Sequence, residues 1–182
     1  IEQREDQILQ ALAADLGKPH LESYTSEILM VQKEIDLCVK NLKNWAAPQR
    51  VSASLLNFPS QDYIIAEPYG TVLMICPWNY PFQLALIPLI GAIAAGNTVV
   101  LKPSESAPHT AQLLSALLGE TFAEEWVQVI EGDTDVAQEL LKLQWDYIFF
   151  TGSTTVGKII AQAAAVHLTP VTLELGGKSP CI

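Results

Sequence analysis

An α/β fold with a doubly wound parallel sheet is what this sequence predicts, on three observations. Five short, nearly continuous apolar runs follow Gly70, at 72–76, 98–101, 127–130, 147–150 and 171–174. Helical intervals separate them, so each strand reaches the next through a crossover, as parallel strands require. Glycine and proline turns stand at the carboxyl ends of these runs, the edge at which sheets covered on both faces hold ligands.

Ahead of the sheet, Ile8, Leu9, Leu12 and Leu16 recur at a helical period within 2–16, and Gly17-Lys18-Pro19 supplies the stop. A second helix follows, with Thr25 or Ser26 as its expected cap and Glu27 and Glu34 on it. Ile28, Val31, Ile35, Cys38, Leu42 and Trp45 mark its buried stripe. From 46 to 68 the character changes: Pro48, Pro59 and Pro68 punctuate β-prone runs at 51–56 and 63–66. Such runs have no core of their own and need a partner, so the segment reads as an extended arm, either a surface hairpin folded on its own sheet or an oligomerisation element that pairs with a second subunit. The chain thus divides into N-terminal helices over 1–50, the arm over 51–70 and the sheet core over 71–182.

Composition fits one well-cored domain and excludes several partners. At this length a chain buries about 70% of its extended surface, and 49% of the 182 residues are hydrophobic. The formal charge of −10, from 20 acidic against 10 basic residues, repels nucleic acid and anionic membranes. The apolar stretch 82–96 is interrupted by Gln83, Pro88, Gly91 and Gly96, and it falls short of the roughly 20 residues of a membrane span. It reads as a buried helix. The three cysteines are scattered, which suggests a reducing compartment, and neither they nor the three histidines have metal-ligand spacing, so no metal is expected.

Four motifs carry candidate chemistry. In the run Val-Thr-Leu-Glu-Leu-Gly-Gly-Lys-Ser-Pro over 171–180, Glu174 stands between an apolar strand and a glycine turn. A buried strand end is poor in water and suits a general base; the bland alternative is a strand-end Glu in solvent. Gly152-Ser153-Thr154-Thr155-Val156-Gly157 leaves a strand and opens a helix, where free backbone amides attract phosphate. By itself it reads as a helix cap. Lys102 and Glu105 flank a Pro103 turn that presents both side chains at the sheet's carboxyl edge, or else is a solvated charged turn. Asn79, stiffened by Pro77 and Pro81, offers a neutral amide that can hold an oxyanion at any pH; its neighbour Trp78 is a packing or lining aromatic.

Pro77-Trp78-Asn79-Tyr80-Pro81-Phe82, Lys102-Pro103-Ser104-Glu105, the turn from Phe150 to Gly157 and the run around Glu174 together resemble the aldehyde dehydrogenase superfamily over essentially the whole chain. Phe82-Gln83-Leu84 and His167-Leu168-Thr169-Pro170-Val171-Thr172-Leu173 look most like its class 3 branch, which acts on fatty or aromatic aldehydes. The resemblance implies that superfamily's Rossmann-like fold and NAD as cofactor, with NADP possible. Gly152, Ser153, Thr154 and Gly157 then belong to the cofactor turn, Lys102 and Glu105 to the adenine ribose, and Trp78, Leu175 and Gly176 to the cofactor's surroundings. A cysteine thiolate adds to the aldehyde, Asn79 and a backbone N–H hold the oxyanion, hydride passes to NAD, and Glu174 activates the water that cleaves the thioester.

The family's nucleophile follows the Glu motif by some tens of residues, whereas this sequence stops two residues after Pro180, and Cys38, Cys76 and Cys181 match no family nucleophile. The expectation is a fragment, inactive alone, whose partners are the missing catalytic half and an aldehyde. The resemblance further implies a homodimer in the cytoplasm, with membrane attachment through a C-terminal tail in some class 3 relatives. The alternative is a non-catalytic nucleotide-binding or oligomerising module of the same fold. An acyl-phosphate or CoA-linked reductase is disfavoured, because Glu174 would have little purpose where water does not take the acyl group.

Overall fold

In the computed structural model, which describes residues 1–180, helix α1 (Glu5–Leu16) ends where Gly17 adopts a left-handed φ of 65° and donates its amide to the Ala13 carbonyl. Helix α2 (His20–Ser23), a π turn (Tyr24–Ile28) and α3 (Leu29–Trp45) then follow one another directly. Thr25 and Ser26, the expected caps, lie inside this helical run instead. Their hydroxyls donate back to the carbonyls of Leu21 and Glu22, and the helix begins after Pro19, whose fixed φ suits a first turn. The expected stripe is only half covered. Ile28, Val31 and Cys38 are buried, whereas Ile35, Leu42 and Trp45 are exposed.

The arm forms a small antiparallel pair, β1 (Gln49–Val51) with β2 (Asp62–Ile64), in which Val51 stands opposite Asp62. The expected strand over 51–56 does not form beyond Val51. Ser54 accepts a hydrogen bond from the Leu56 amide and caps a 3-10 turn at Leu55–Asn57, which takes the backbone out of the extended region. The run 63–66 contributes only Tyr63 and Ile64. Leu55, Leu56 and Phe58 are left 92%, 94% and 82% exposed.

Strands and helices then alternate: β3 (Thr71–Ile75), α4 (Gln83–Ala94), β4 (Thr98–Lys102), α5 (Pro108–Thr121), β5 (Val127–Val129), α6 (Thr134–Leu141), β6 (Tyr147–Gly152), α7 (Thr154–Ala165) and β7 (Val171–Leu175). All pairings among β3 to β7 are parallel, in the order β5-β4-β3-β6-β7. The chain builds outward from β3 through β4 to β5, then returns to lay β6 against the other side of β3. That reversal is a topological switch point.

Side chains alternate across a strand, so β3 feeds two cores. Val72, Met74 and Cys76 pack with Ile8, Leu12, Ile28, Phe82, Leu101 and Leu114 on the face covered by α1, α3, α4 and α5. Leu73 and Ile75 pack with Leu140, Trp145, Ile148, Phe150 and Ile160 on the face covered by α6 and α7. Both faces are thereby removed from water, as the continuous apolar runs predict. The stretch 82–96 becomes α4, whose Ala85, Leu86 and Leu89 are buried. Among the described residues no helix is long and apolar enough to cross a membrane.

Candidate active site

A cleft of about 760 Å³ opens at the switch point. The parallel register brings the carboxyl ends of the strands level: Ile75 stands opposite both Lys102 and Phe150, Thr151 opposite Glu174, and Gly152 opposite Leu175. Loops that leave these ends therefore meet above the sheet. Trp78 and Asn79 enter the cleft from the β3–α4 loop, Gly152 and Ser153 from the end of β6, and Glu174, Leu175 and Gly176 from the end of β7. Seven of the residues singled out in the sequence thus share one cavity.

The β3–α4 loop is held from below. Glu27, on the π turn, is fully buried, and its Oε2 accepts the amides of Phe82 at 2.9 Å and Gln83 at 3.3 Å, the first amides of α4. Its Oε1 receives the Lys18 ammonium at 2.5 Å, and Lys18 Nζ also donates to the Asn79 carbonyl at 2.9 Å. The same ammonium lies 3.9 Å from the centroid of the Tyr80 ring. Neither Lys18 nor Glu27 was legible as part of a site. Local sequence shows a helix-stop Lys and a helical Glu, while their partners lie 61 and 55 residues away.

At the other wall, Ser153 caps α7 by accepting the Val156 amide at 3.3 Å. The amides of Thr154 and Thr155, first in the helix, have no partner within it and stand available to an anion. Thr154 itself is exposed beside the cleft rather than lining it. Gly157 lies one turn in and is buried; a Cβ there would come within 2.7 Å of Leu175 Cδ2, so the glycine lets α7 close on β7. A Cβ on Gly152 would strike the Phe150 ring.

Glu174 departs from its expected surroundings. β7 ends the sheet order, its residues grade from half-buried to exposed, and Glu174 is on the exposed part. Nothing among the described residues covers β7 on its outer side, so they do not themselves form the water-poor strand end expected for Glu174. Lys102 is buried at the end of β4, where Nζ donates to the Pro103 carbonyl and to Glu105 Oε2, each at 3.2 Å, while Glu105 is half exposed. The pair stands at the carboxyl edge as the turn predicts, outside the lining of the cleft.

The remaining lining was not anticipated. Gln83, Leu84, Ile87 and Pro88 present one helical face of α4, and their i, i+4 spacing directly after the Asn motif is the signal that could have found them. Phe149 and Thr151 come from β6. Cys76 is fully buried, and burial pushes its thiol up to about 12 although the Lys102 charge pulls the other way. Burial, then the neighbouring Glu34, also raises the Cys38 thiol. Neither supplies a ready thiolate, neither lines the cleft, and Cys181 lies outside the described residues. Among the described residues, no three His, Cys, Asp or Glu side chains are grouped to hold a metal.

The sequence model described as the aldehyde dehydrogenase family matches residues 1–182. The chain is 53% identical to the 4,4'-diaponeurosporen-aldehyde dehydrogenase of Staphylococcus aureus, over 100% of this chain and 40% of that protein. It is 50% identical to aldehyde dehydrogenase family 3 member A2 of Macaca fascicularis, over 100% of this chain and 37% of that protein. Among solved structures, the Mycobacterium tuberculosis aldehyde dehydrogenase complexed with NAD+ superposes with a TM-score of 0.88 at 32% identity, over 98% of this chain and 36% of that one. The chain therefore spans about two fifths of the length of the relatives it matches.

Proposed function

This chain belongs to the aldehyde dehydrogenase family, and on that premise we propose that it is the cofactor-binding portion of an NAD-dependent enzyme that oxidises aldehydes to carboxylates. The observation that carries this reading is the meeting of Asn79, Ser153 and Glu174 in one cleft at the switch point. The neutral amide of Asn79 donates to the oxyanion that forms when a thiolate adds to the aldehyde carbon. That thiolate belongs to neither Cys38 nor Cys76, which are buried and do not line the cleft. Glu174 takes a proton from the water that cleaves the resulting thioester, and its place in the cleft lining supports that role.

The donor set fits a dinucleotide. The Ser153-capped start of α7 and Gly152 hold phosphate, Trp78, Leu175 and Gly176 shape its bed, and Gly157 keeps α7 close behind. The mycobacterial aldehyde dehydrogenase is complexed with NAD+, and a cofactor of that kind held by these residues would supply the hydride acceptor. Lys102 and Glu105 take the adenine ribose. A carboxylate at Glu105 bonds to ribose hydroxyls and repels a 2′-phosphate, while Lys102, 3.2 Å away, offsets part of that repulsion. NAD is thus preferred and NADP accepted.

The test uses the full-length protein that carries this chain. Glu174→Gln should leave a burst of NADH and slow the steady state, because hydride transfer precedes the water step. A steady state equal to the parent's would remove Glu174 from the mechanism. The 182 residues alone should oxidise no aldehyde, and turnover above background would sink that part of the reading.

The substrate class is a fatty or aromatic aldehyde, as the likeness to family 3 aldehyde dehydrogenases supports, and a comparison of kcat/KM for octanal, benzaldehyde and acetaldehyde tests it. The exposed Leu55, Leu56 and Phe58 support pairing of the arm with a second copy in a homodimer. Light scattering of a protein lacking 51–57 reads this directly, since a dimer that survives the deletion refutes it. The free, buried thiols of Cys38 and Cys76 fit a cytoplasmic location, which cell fractionation checks.

A further inference from the structure

We propose that Lys18 and Glu27 form a positioning clamp that sets the Asn79 amide at the cleft; the inference rests on the reading of Asn79 as oxyanion donor. One carboxylate and one ammonium hold both ends of the segment 79–83. Glu27 Oε2 takes the amides of Phe82 and Gln83, and Lys18 Nζ takes the Asn79 carbonyl. The two are joined at 2.5 Å, and the Lys18 side chain is only 11% exposed against 0% for Glu27. Lys18 Nζ spends its contacts on Glu27, on Asn79 and on the Tyr80 face, so its position and that of the loop are coupled.

The backbone beneath is built for the same end. Glu27 lies on a π turn between two α-helical stretches, and a widened turn re-aims one side chain where regular helix would not. Here the re-aimed side chain is the carboxylate that meets α4. A buried ion pair is weak support for stability compared with apolar packing of the same volume, so fixed geometry is the better account of its presence. Geometry matters at this place, because α4 also delivers Gln83, Leu84 and Ile87 to the cleft. Neither Lys18 nor Glu27 lines the cleft.

In the full-length protein, Lys18→Met keeps an unbranched side chain of similar length and removes the charge, and Glu27→Gln keeps the shape. Both should raise hydrogen exchange at the amides of Phe82 and Gln83 about tenfold while β3 stays protected, and slow the NADH burst about tenfold with NAD affinity unchanged. Lys18→Arg should recover most of the rate. In an Asn79→Ala background Lys18→Met should slow the burst no further, as expected of groups that act as a unit. If Lys18→Met does not fold, Glu27→Gln carries the same measurements. Exchange at Phe82 and Gln83 equal to the parent's overturns the clamp. So does a slowing of equal size with and without Asn79, and so does a normal burst in the clamp variants when Asn79→Ala itself is slow. A fast burst in Asn79→Ala alone removes the oxyanion reading instead, and the exchange rates then decide the clamp by themselves.

Discussion

Two carboxylates from the N-terminal helices cap two helices of the sheet layer, and they do so differently. Asp15, at the end of α1, accepts the amides of His109 and Thr110 and the Thr110 hydroxyl at the start of α5, at 3.0, 2.7 and 2.7 Å. Its side chain is fully inaccessible, and its contacts end there apart from His109 Nδ1 at 2.8 Å. Glu27 does the same for α4 but is joined to a cation that reaches on to Asn79. Both meet the need of orphan amides and of the positive end of a helix dipole. The difference lies in the partner: hydrogen-bond donors complete Asp15 as a cap, whereas Lys18 turns Glu27 into a link between the helix layer and the cleft.

The largest effect that can break this comparison is loss of the charged pair. Glu27→Ala leaves Lys18 without its carboxylate in a nearly closed site, and it should cost about 3 to 5 kcal/mol in urea unfolding. Asp15→Ala removes a cap and leaves donors that water can partly serve. It should cost about 1 to 2 kcal/mol and leave the NADH burst of the full-length protein unchanged. Equal costs, or a slowed burst in Asp15→Ala, would erase the distinction between cap and clamp.

The smallest effect is in acid. Burial acts to raise the Asp15 carboxyl, but hydrogen bonds from the Thr110 hydroxyl and amide and from His109 outweigh it and hold it below the usual carboxylate range. A depressed folded pKa gives stability that is fully present above the unfolded value, about 3.9, and is lost as pH falls through the folded value. Asp15→Asn should therefore flatten the fall of the urea midpoint below about pH 4. An unchanged slope between pH 5 and 3 would mean that other carboxylates carry the acid response.

The sheet core was legible because its signals are local. The runs at 72–76 and 98–101 fall within a residue or so of β3 and β4, and Ser153 caps α7 where the Gly-Ser-Thr turn predicts a helix start. The arm was less so, because a β-prone composition at 51–56 gives way to the side chain of Ser54, which bonds its own backbone two residues on. The second helix was placed but its caps were not, since Thr25 and Ser26 bond backward to carbonyls within a helix that had already begun at His20. Half of its stripe is uncovered among the described residues: Ile35 and Leu42 line an open apolar pocket with residues of α4 and α5, and periodicity alone does not show which positions are covered.

By itself the sequence determined the alternation of strand and helix, the parallel sheet, and the turns that put Asn79, Lys102, Ser153 and Glu174 at one carboxyl edge, because apolar period, glycine and proline act within a few residues. Only the tertiary structure decided which of them share a cavity, that β7 with Glu174 ends the sheet among the described residues, and that Glu27 is buried beneath the Asn79 loop. Those outcomes depend on strand order and on pairings across 55 and 61 residues. A buried charge is tolerable only where distant groups converge to satisfy it, and that convergence is a property of the packed chain.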